Sequence, residues 1–368
     1  QANTSMSGGR CEGFAVLSDL MAAKKVDPKT FGADTARELT LDDNTPLQKE
    51  IAYWFATQLV PGAVGSKTKQ YTAKDVLGVL ADSLEDTATE HYRIGIVRKN
   101  GASISGGHSL TPIGFYRDPK ATGVYWLRVY DNNNPEVERL MKLDTVKNRW
   151  EFESNTNPNA PSRLYFGDSS NNNPIYLAPV FARQGVLPCP FCEGGGAQVV
   201  TTGGAQPSIT TPTGTVGLDD GEISTAAGTS ITPSFSDPAD AEGTSFVIGL
   251  GADAMSQMGS QVVVNVTMPP DPLNPDAFQG VAALQSGAFT TATGLRVTAR
   301  DTFTATPQGG TYTNNSHSPM QLTTRIPTGM GELTVTAFVS GGSDSVSAQV
   351  DAATGRVTLE LSGAMGTP

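Results

Sequence analysis

Apolar positions in the first quarter of the chain recur at helical spacing. The run Cys11-Glu12-Gly13-Phe14-Ala15-Val16-Leu17 opens a segment whose Phe14, Leu17, Leu20 and Met21 share one face, which predicts a helix. A second helix follows the cap candidates Asp42-Asp43-Asn44-Thr45, with Pro46 in its first turn. It runs through Ile51, Tyr53, Trp54, Phe55 and Leu59 and stops at Pro61-Gly62. A third begins near Thr72 and carries Val76, Leu77, Val79, Leu80 and Leu84 as its stripe. The pattern then changes. Residues 92–98, 105–116 and 123–133 are rich in β-branched and aromatic side chains and predict strands, followed by a hairpin over 137–153 and short strands near 163–166 and 175–180. Trp126, Tyr130, Trp150 and Phe152 read as core aromatics rather than a binding platform.

Beyond residue 196 helical periodicity is rare, and Gly, Thr, Ser and Ala dominate. Alternating runs at 245–250, 261–266, 295–299, 333–339 and 355–361 predict an all-β sandwich, immunoglobulin-like in plan. Residues 193–230 have few large apolar groups and read as a linker or as the first strands. No repeat of fixed period is present.

Charge divides the chain at the same place. Residues 1–192 carry 21 basic and 21 acidic side chains, whereas 193–368 carry 4 arginines against 15 acids and no lysine. The formal charge of −11 therefore belongs to the C-terminal half. That surface repels nucleic acid, which excludes a nucleic-acid partner, and suits solubility outside the cell. No apolar run reaches the length of a membrane span, so no membrane insertion is expected. No signal peptide is seen, and the start ten residues before Cys11 reads as that of a trimmed or mature chain whose leader has been removed.

Candidate chemistry begins with the cysteines. Cys189-Pro190-Phe191-Cys192 resembles a redox motif, but Gly194-Gly195-Gly196 follows it where a helix would be needed. A structural disulfide between Cys189 and Cys192 is the favoured reading, in an oxidising compartment, with Cys11 as the odd thiol. Three histidines and no second Cys-x-x-Cys leave a zinc site without ligands, and no cofactor is implied. Cys11 itself admits three readings: a small buried apolar residue, half of a disulfide, or a nucleophile whose thiolate a helix N-terminus favours. His108 stands at the start of one predicted strand and Asp131 at the end of the next, so an antiparallel hairpin brings them to the same end. A carboxylate there fixes the tautomer of an imidazole. His91, without the Gly106-Gly107 approach of His108, reads as structural. His317, in a polar loop, reads as plain surface, and Asn132-Asn133-Asn134 is a minor calcium-loop option.

A cysteine at a helix start, a later Gly-Gly-His108 opening an aromatic-rich strand, and Asp131-Asn132 closing the next resemble papain-like cysteine peptidases, nearest the bacterial bacteriocin-processing branch. The similarity covers roughly residues 1–185. It implies Cys11 as nucleophile, His108 as general base and Asp131 as orienting group, with Asn132 the nearest substitute for that third role. One feature departs: the family usually carries an oxyanion-hole Gln about six residues before the cysteine, where this chain has Ser5. Gln1 and Asn3 are the nearby amides, and the Cys11 backbone N–H is a further donor candidate.

The resulting expectation is an α+β papain-like domain over 1–192, a linker or first strands over 193–230, and an acidic all-β immunoglobulin-like sandwich over 231–368. The function expected is that of an extracellular bacterial cysteine peptidase or related acyl-transfer enzyme, secreted or at the cell surface, acting on a peptide or protein substrate. The competing expectation is a structural or adhesive surface protein with a cell-surface or self-assembly partner, whose peptidase-like part is inactive or acts only on itself.

Overall fold

The computed structural model describes residues 10–58, 69–85, 89–100, 103–154, 163–168, 170, 173–185, 195–219, 222–234, 245–267, 279–285, 287–295, 297–328, 331–339, 344–351 and 353–362. The chain divides into two compact units, Gln1–Leu187 with Ser234–Asp240, and Pro188–Pro233 with Ala241–Pro368.

In the first unit, helix α1 (Cys11–Ala22) starts at the cysteine, and α2 (Thr45–Thr57) starts where Asn44 accepts a hydrogen bond from the Leu47 N–H at 3.2 Å. Their apolar stripes meet: Val16, Leu17, Leu20 and Met21 pack on Leu47, Ile51 and Trp54. Gly13 permits the close crossing, since a Cβ there would lie 2.1 Å from the Ile51 carbonyl oxygen. Helix α3 (Val76–Glu85) packs Val76 and Leu80 onto the sheet. The expected end of the second helix, at Leu59 and Pro61-Gly62, lies outside the described residues.

The unit's strands are β1 (Lys69–Tyr71), β2 (Tyr92–Asn100), β3 (Ser103–Arg117), β4 (Val124–Tyr130), β5 (Arg139–Asp144), β6 (Arg149–Ser154), β7 (Arg163–Gly167) and β8 (Ile175–Pro179). They form one antiparallel sheet in the order β1-β8-β2-β3-β4-β5-β6-β7. Trp150 and Phe152 lie in its core with Ile94, Leu127 and Met141. The β3–β4 turn is tied by Asp118, which accepts from the Lys120 and Ala121 N–H groups and from Trp126 Nε1. The register shifts between Pro112 and Gly114, where proline has no N–H to donate, and then pairs Thr111 with Tyr130. One step further along that register Asp131 falls opposite Leu110, two residues from His108.

The second unit contains β9 (Ala197–Thr202), β10 (Gln206–Thr211), β11 (Gly214–Asp219), β12 (Glu222–Ser224), β13 (Thr229–Ser234), β14 (Ser245–Leu250), helix α4 (Ala252–Gln257), β15 (Val262–Thr267), β16 (Gln279–Gln285) and β17 (Ala288–Leu295). It continues with β18 (Asp301–Thr306), β19 (Gly309–Thr313), β20 (Met320–Thr328), β21 (Gly331–Val339), β22 (Ser345–Asp351) and β23 (Arg356–Ser362). These build two antiparallel sheets, β12-β11-β10-β15-β18-β19-β22-β23 and β13-β14-β9-β16-β17-β20-β21. Val264, Phe303, Tyr312 and Val346 of the one and Val199, Ala292 and Leu322 of the other are buried.

This architecture overturns the expected fold class. Among the described residues the chain is mostly β, in three antiparallel sheets of eight, eight and seven strands, rather than an α+β papain-like domain followed by a separate immunoglobulin-like sandwich. Three clear helix signals within the first 85 residues weighted the first half toward helix. The strands that follow them, rich in β-branched and aromatic side chains, outnumber them and join in one sheet, a partnership between distant segments that local periodicity does not report. The stretch 193–230 holds β9 to β12.

Candidate active site

Helix α1 sets its first residue against β3. The Thr111 hydroxyl donates to the Ala15 carbonyl at 2.9 Å and shares a 3.0 Å hydrogen bond with the Ser18 hydroxyl. Three residues earlier on β3, the His108 ring meets both other members of the expected triad. Its Nε2 lies 2.8 Å from Asp131 Oδ1. The Cys11 thiol is near enough to act on the imidazole both as hydrogen-bond partner and as charge. Cys11 is 2% exposed, and His108 and Asp131 are fully buried.

Asp131 is held on every side. Its Oδ1 also accepts from the Asn133 N–H at 3.0 Å, and its Oδ2 from the Ser154 hydroxyl at 2.9 Å and from Asn134 Nδ2 at 3.3 Å. Burial alone would raise its pKa, but the facing imidazole and these donors hold it at about 2. Burial likewise opposes a charged His108, yet the Asp131 carboxylate, and after it Cys11, lift the imidazole well above its ordinary range. Two unit charges 4 Å apart interact by about 4 kcal/mol at an effective dielectric near 20, enough to outweigh moderate desolvation. Asn132, the substitute for the third role, instead donates to Asn133 Oδ1 at 3.2 Å.

A second buried cluster lies directly beside the cysteine, and sequence reasoning missed it. Glu12 is fully buried, with Arg93 Nε 2.7 Å from its Oε2 and an Arg183 amino group 2.7 Å from its Oε1. The Ser109 hydroxyl donates to Oε2 as well. Arg183 further donates to the Pro179 carbonyl at 2.6 Å and to the Thr57 hydroxyl at 3.1 Å. Burial penalises the Glu12 charge, but the two guanidinium groups outweigh it and keep the carboxyl below its usual range. Burial also brings Arg93 down to about 10, against the pull of Glu12 and of Cys11. The one available signal was a glutamate inside an apolar helix opening, where a charge needs a partner.

Of the remaining candidates, Gln1 and Asn3 lie outside the described residues, as do Cys189 and Cys192 with their proposed disulfide. The Cys11 N–H belongs to the first turn of α1, whose N–H groups have no helical acceptor. His91 is part of a separate pair: its Nδ1 lies 3.0 Å from Asp19 Oδ1, and its ring stacks on Phe181 at 4.4 Å. His317 sits on the surface near Asp344. Among the described residues no three His, Cys, Asp or Glu side chains gather as metal ligands, and no helix is long and apolar enough to cross a membrane. An open groove of about 440 Å³ lies elsewhere on the sheet, lined by residues such as Trp126, Leu140, Lys142, Glu151 and Leu164 and by none of the triad. Comparison of the chain with protein-family models, with curated proteins and with solved structures gave no match.

Proposed function

We propose that the N-terminal unit is a cysteine-dependent acyl-transfer enzyme, a peptidase in its simplest form, of an extracellular bacterial protein. The observation that carries this reading is the continuous contact from Cys11 through His108 to Asp131, with Asp131 Oδ1 at 2.8 Å from the imidazole. The order Cys, His, Asp along the chain is that of the papain-like peptidases; the likeness is one of chemistry and not of fold. The Cys11 sulfur attacks a carbonyl carbon, and His108, holding the thiol proton, delivers it to the leaving amine. A water molecule, deprotonated by His108, then releases the acid from the thioester and restores the thiol. Asp131 holds the ring and stabilises its charged form.

The buried charges support the same reading. Glu12 with Arg93 and Arg183 leaves one positive charge on the sulfur side, and Asp131 leaves one negative charge on the imidazole side. A proton moved from Cys11 to His108 therefore keeps the buried group neutral while matching each new charge to an opposite one.

The test is alkylation by iodoacetamide at pH 6, mapped by peptide mass, alongside cleavage of a fluorogenic peptide library. Fast modification of Cys11 that slows at least tenfold in His108→Ala, with cleavage lost in Cys11→Ala, is the expected result. Slow labelling that ignores His108 overturns it. A second reading, that this site is inactive or acts only on its own chain, is favoured by one observation: Cys11 is 2% exposed. Fast His108-dependent labelling without turnover of any added peptide selects that reading.

A further inference from the structure

Strand β23 ends one of the two sheets of the second unit and, among the described residues, has β22 as its one strand neighbour. Its register sets Val357, Leu359 and Leu361 opposite Val350, Ala348 and Val346. Those three β22 residues are at most 1% exposed, because the other sheet, ending at β21, lies against them. Val357, Leu359 and Leu361 continue the same apolar row past that cover and stand 38%, 53% and 65% exposed. All seven residues of β23 are exposed, and among the described residues no strand pairs with its outer edge.

Charge decides what fits there. The second unit, Pro188–Pro233 with Ala241–Pro368, carries 4 arginines against 13 acids, so two copies meeting broadly repel each other. β23 is locally balanced, with Arg356 its cation and Glu360 its anion, four residues apart on one face. Four residues of strand span about 13 Å, too far for them to pair within one chain. Arg356 lies opposite Asp351 on β22, whose carboxylate is tied by the Thr354 hydroxyl and the Ala353 N–H, and Glu360 lies opposite Ser347. An antiparallel copy of the same strand, centred on Thr358, sets Arg356 opposite Glu360 twice over and Val357 opposite Leu359 twice over. A parallel copy in register sets like charges together.

We propose that β23 is a self-association edge, at which a second copy of this chain adds its own β23 antiparallel about a two-fold axis at Thr358. The pairing joins two eight-stranded sheets through main-chain hydrogen bonds, two reciprocal ion pairs and an apolar row shared by both copies. The contact is small, so the dimer is weak and concentration-dependent.

Sedimentation velocity on the full chain over a concentration series tests it. The wild type is expected to show a reversible monomer–dimer equilibrium. Arg356→Glu and Glu360→Arg, each placing like charges together at two points, weaken it by about tenfold or more. The double variant R356E/E360R restores it, and mixing the two single variants yields a heterodimer that neither forms alone. A wild type that stays monomeric throughout, or a dimer indifferent to both single changes, or a double variant no better than the singles, overturns the proposal. Rescue by the double variant also separates lost pairing from lost folding.

Discussion

Each unit buries an aspartate among hydrogen-bond donors, and the two side chains respond in opposite directions. Asp131 receives Asn133, Asn134 and Ser154 besides His108 and is held at about 2. Asp301 receives the Tyr312 hydroxyl at 2.9 Å and the Ser316 N–H and hydroxyl at 2.9 and 3.0 Å, yet it is pushed above the ordinary carboxylate value. Burial is the first cause for both. What separates them is the partner that can carry positive charge: Asp131 faces an imidazole, and Asp301 faces a phenol. Neutral donors alone do not offset the loss of water at Asp301. The lesson is that the N-terminal unit buries compensated charge, while the C-terminal unit buries polar groups that favour neutrality.

The largest expected effect breaks that compensation. Glu12→Gln strands Arg93 and Arg183, both fully buried, without their counter-charge, and should cost about 3–5 kcal/mol in urea unfolding. A cost below about 1 kcal/mol would mean that the guanidinium groups find other partners. Next is Gly13→Ala. Its new Cβ would lie 2.1 Å from the Ile51 carbonyl oxygen, so α1 must shift off α2 at a cost of up to about 3 kcal/mol. Because α1 carries Cys11, alkylation should slow in the folded variant as well; an unchanged rate would detach the helix crossing from the site.

The aspartates themselves sharpen the comparison. Lowering the Asp131 pKa from 3.8 to about 2 corresponds to about 2 kcal/mol of stability, and Asp131→Asn should lose that amount at pH 7. The sign follows from proton binding. Asp131 contributes stability above its unfolded value of 3.8, and this is lost as pH falls toward about 2. His108, raised above 6.5, contributes stability fully present below 6.5 and lost as pH rises through its folded value. Asp301 runs the other way: its raised value makes the folded state bind protons more readily, so its penalty at neutral pH fades as pH falls. The smallest effect is therefore at Asp301→Asn, within about 1 kcal/mol at pH 7, since an amide supplies the neutral acceptor that the site favours. Unfolding curves from pH 2 to pH 7 for both variants should diverge from wild type with opposite slopes. Parallel slopes would break the comparison.

Much of the site's local geometry was legible in the chain. The 3.6-residue stripe located α1 and its start at Cys11, Asn44 and Pro46 marked the opening of α2, and the turn around Asp118 folded β3 onto β4. That hairpin carried His108 and Asp131 toward each other. The buried state of Glu12, Arg93 and Arg183 was not legible, because a charged residue on an alternating strand or a helix face normally points to water. The strands of the C-terminal unit were legible in part: the alternating runs at 245–250, 261–266, 333–339 and 355–361 fall on β14, β15, β21 and β23, whereas most of the other Thr- and Ser-rich strands give little amphipathic contrast.

What the amino-acid order determined by itself was local: helix starts, hairpin turns, and an acidic half set against a neutral one. Backbone preference, capping and side-chain charge depend only on neighbours a few residues away. The three antiparallel sheets, the meeting of Cys11 with a ring about a hundred residues distant, and the pairing of Glu12 with two arginines were decided only in the tertiary structure. Strand partnership and the compensation of buried charge are relations between distant segments. Each takes its energy from removing water between groups that the folded chain alone brings together.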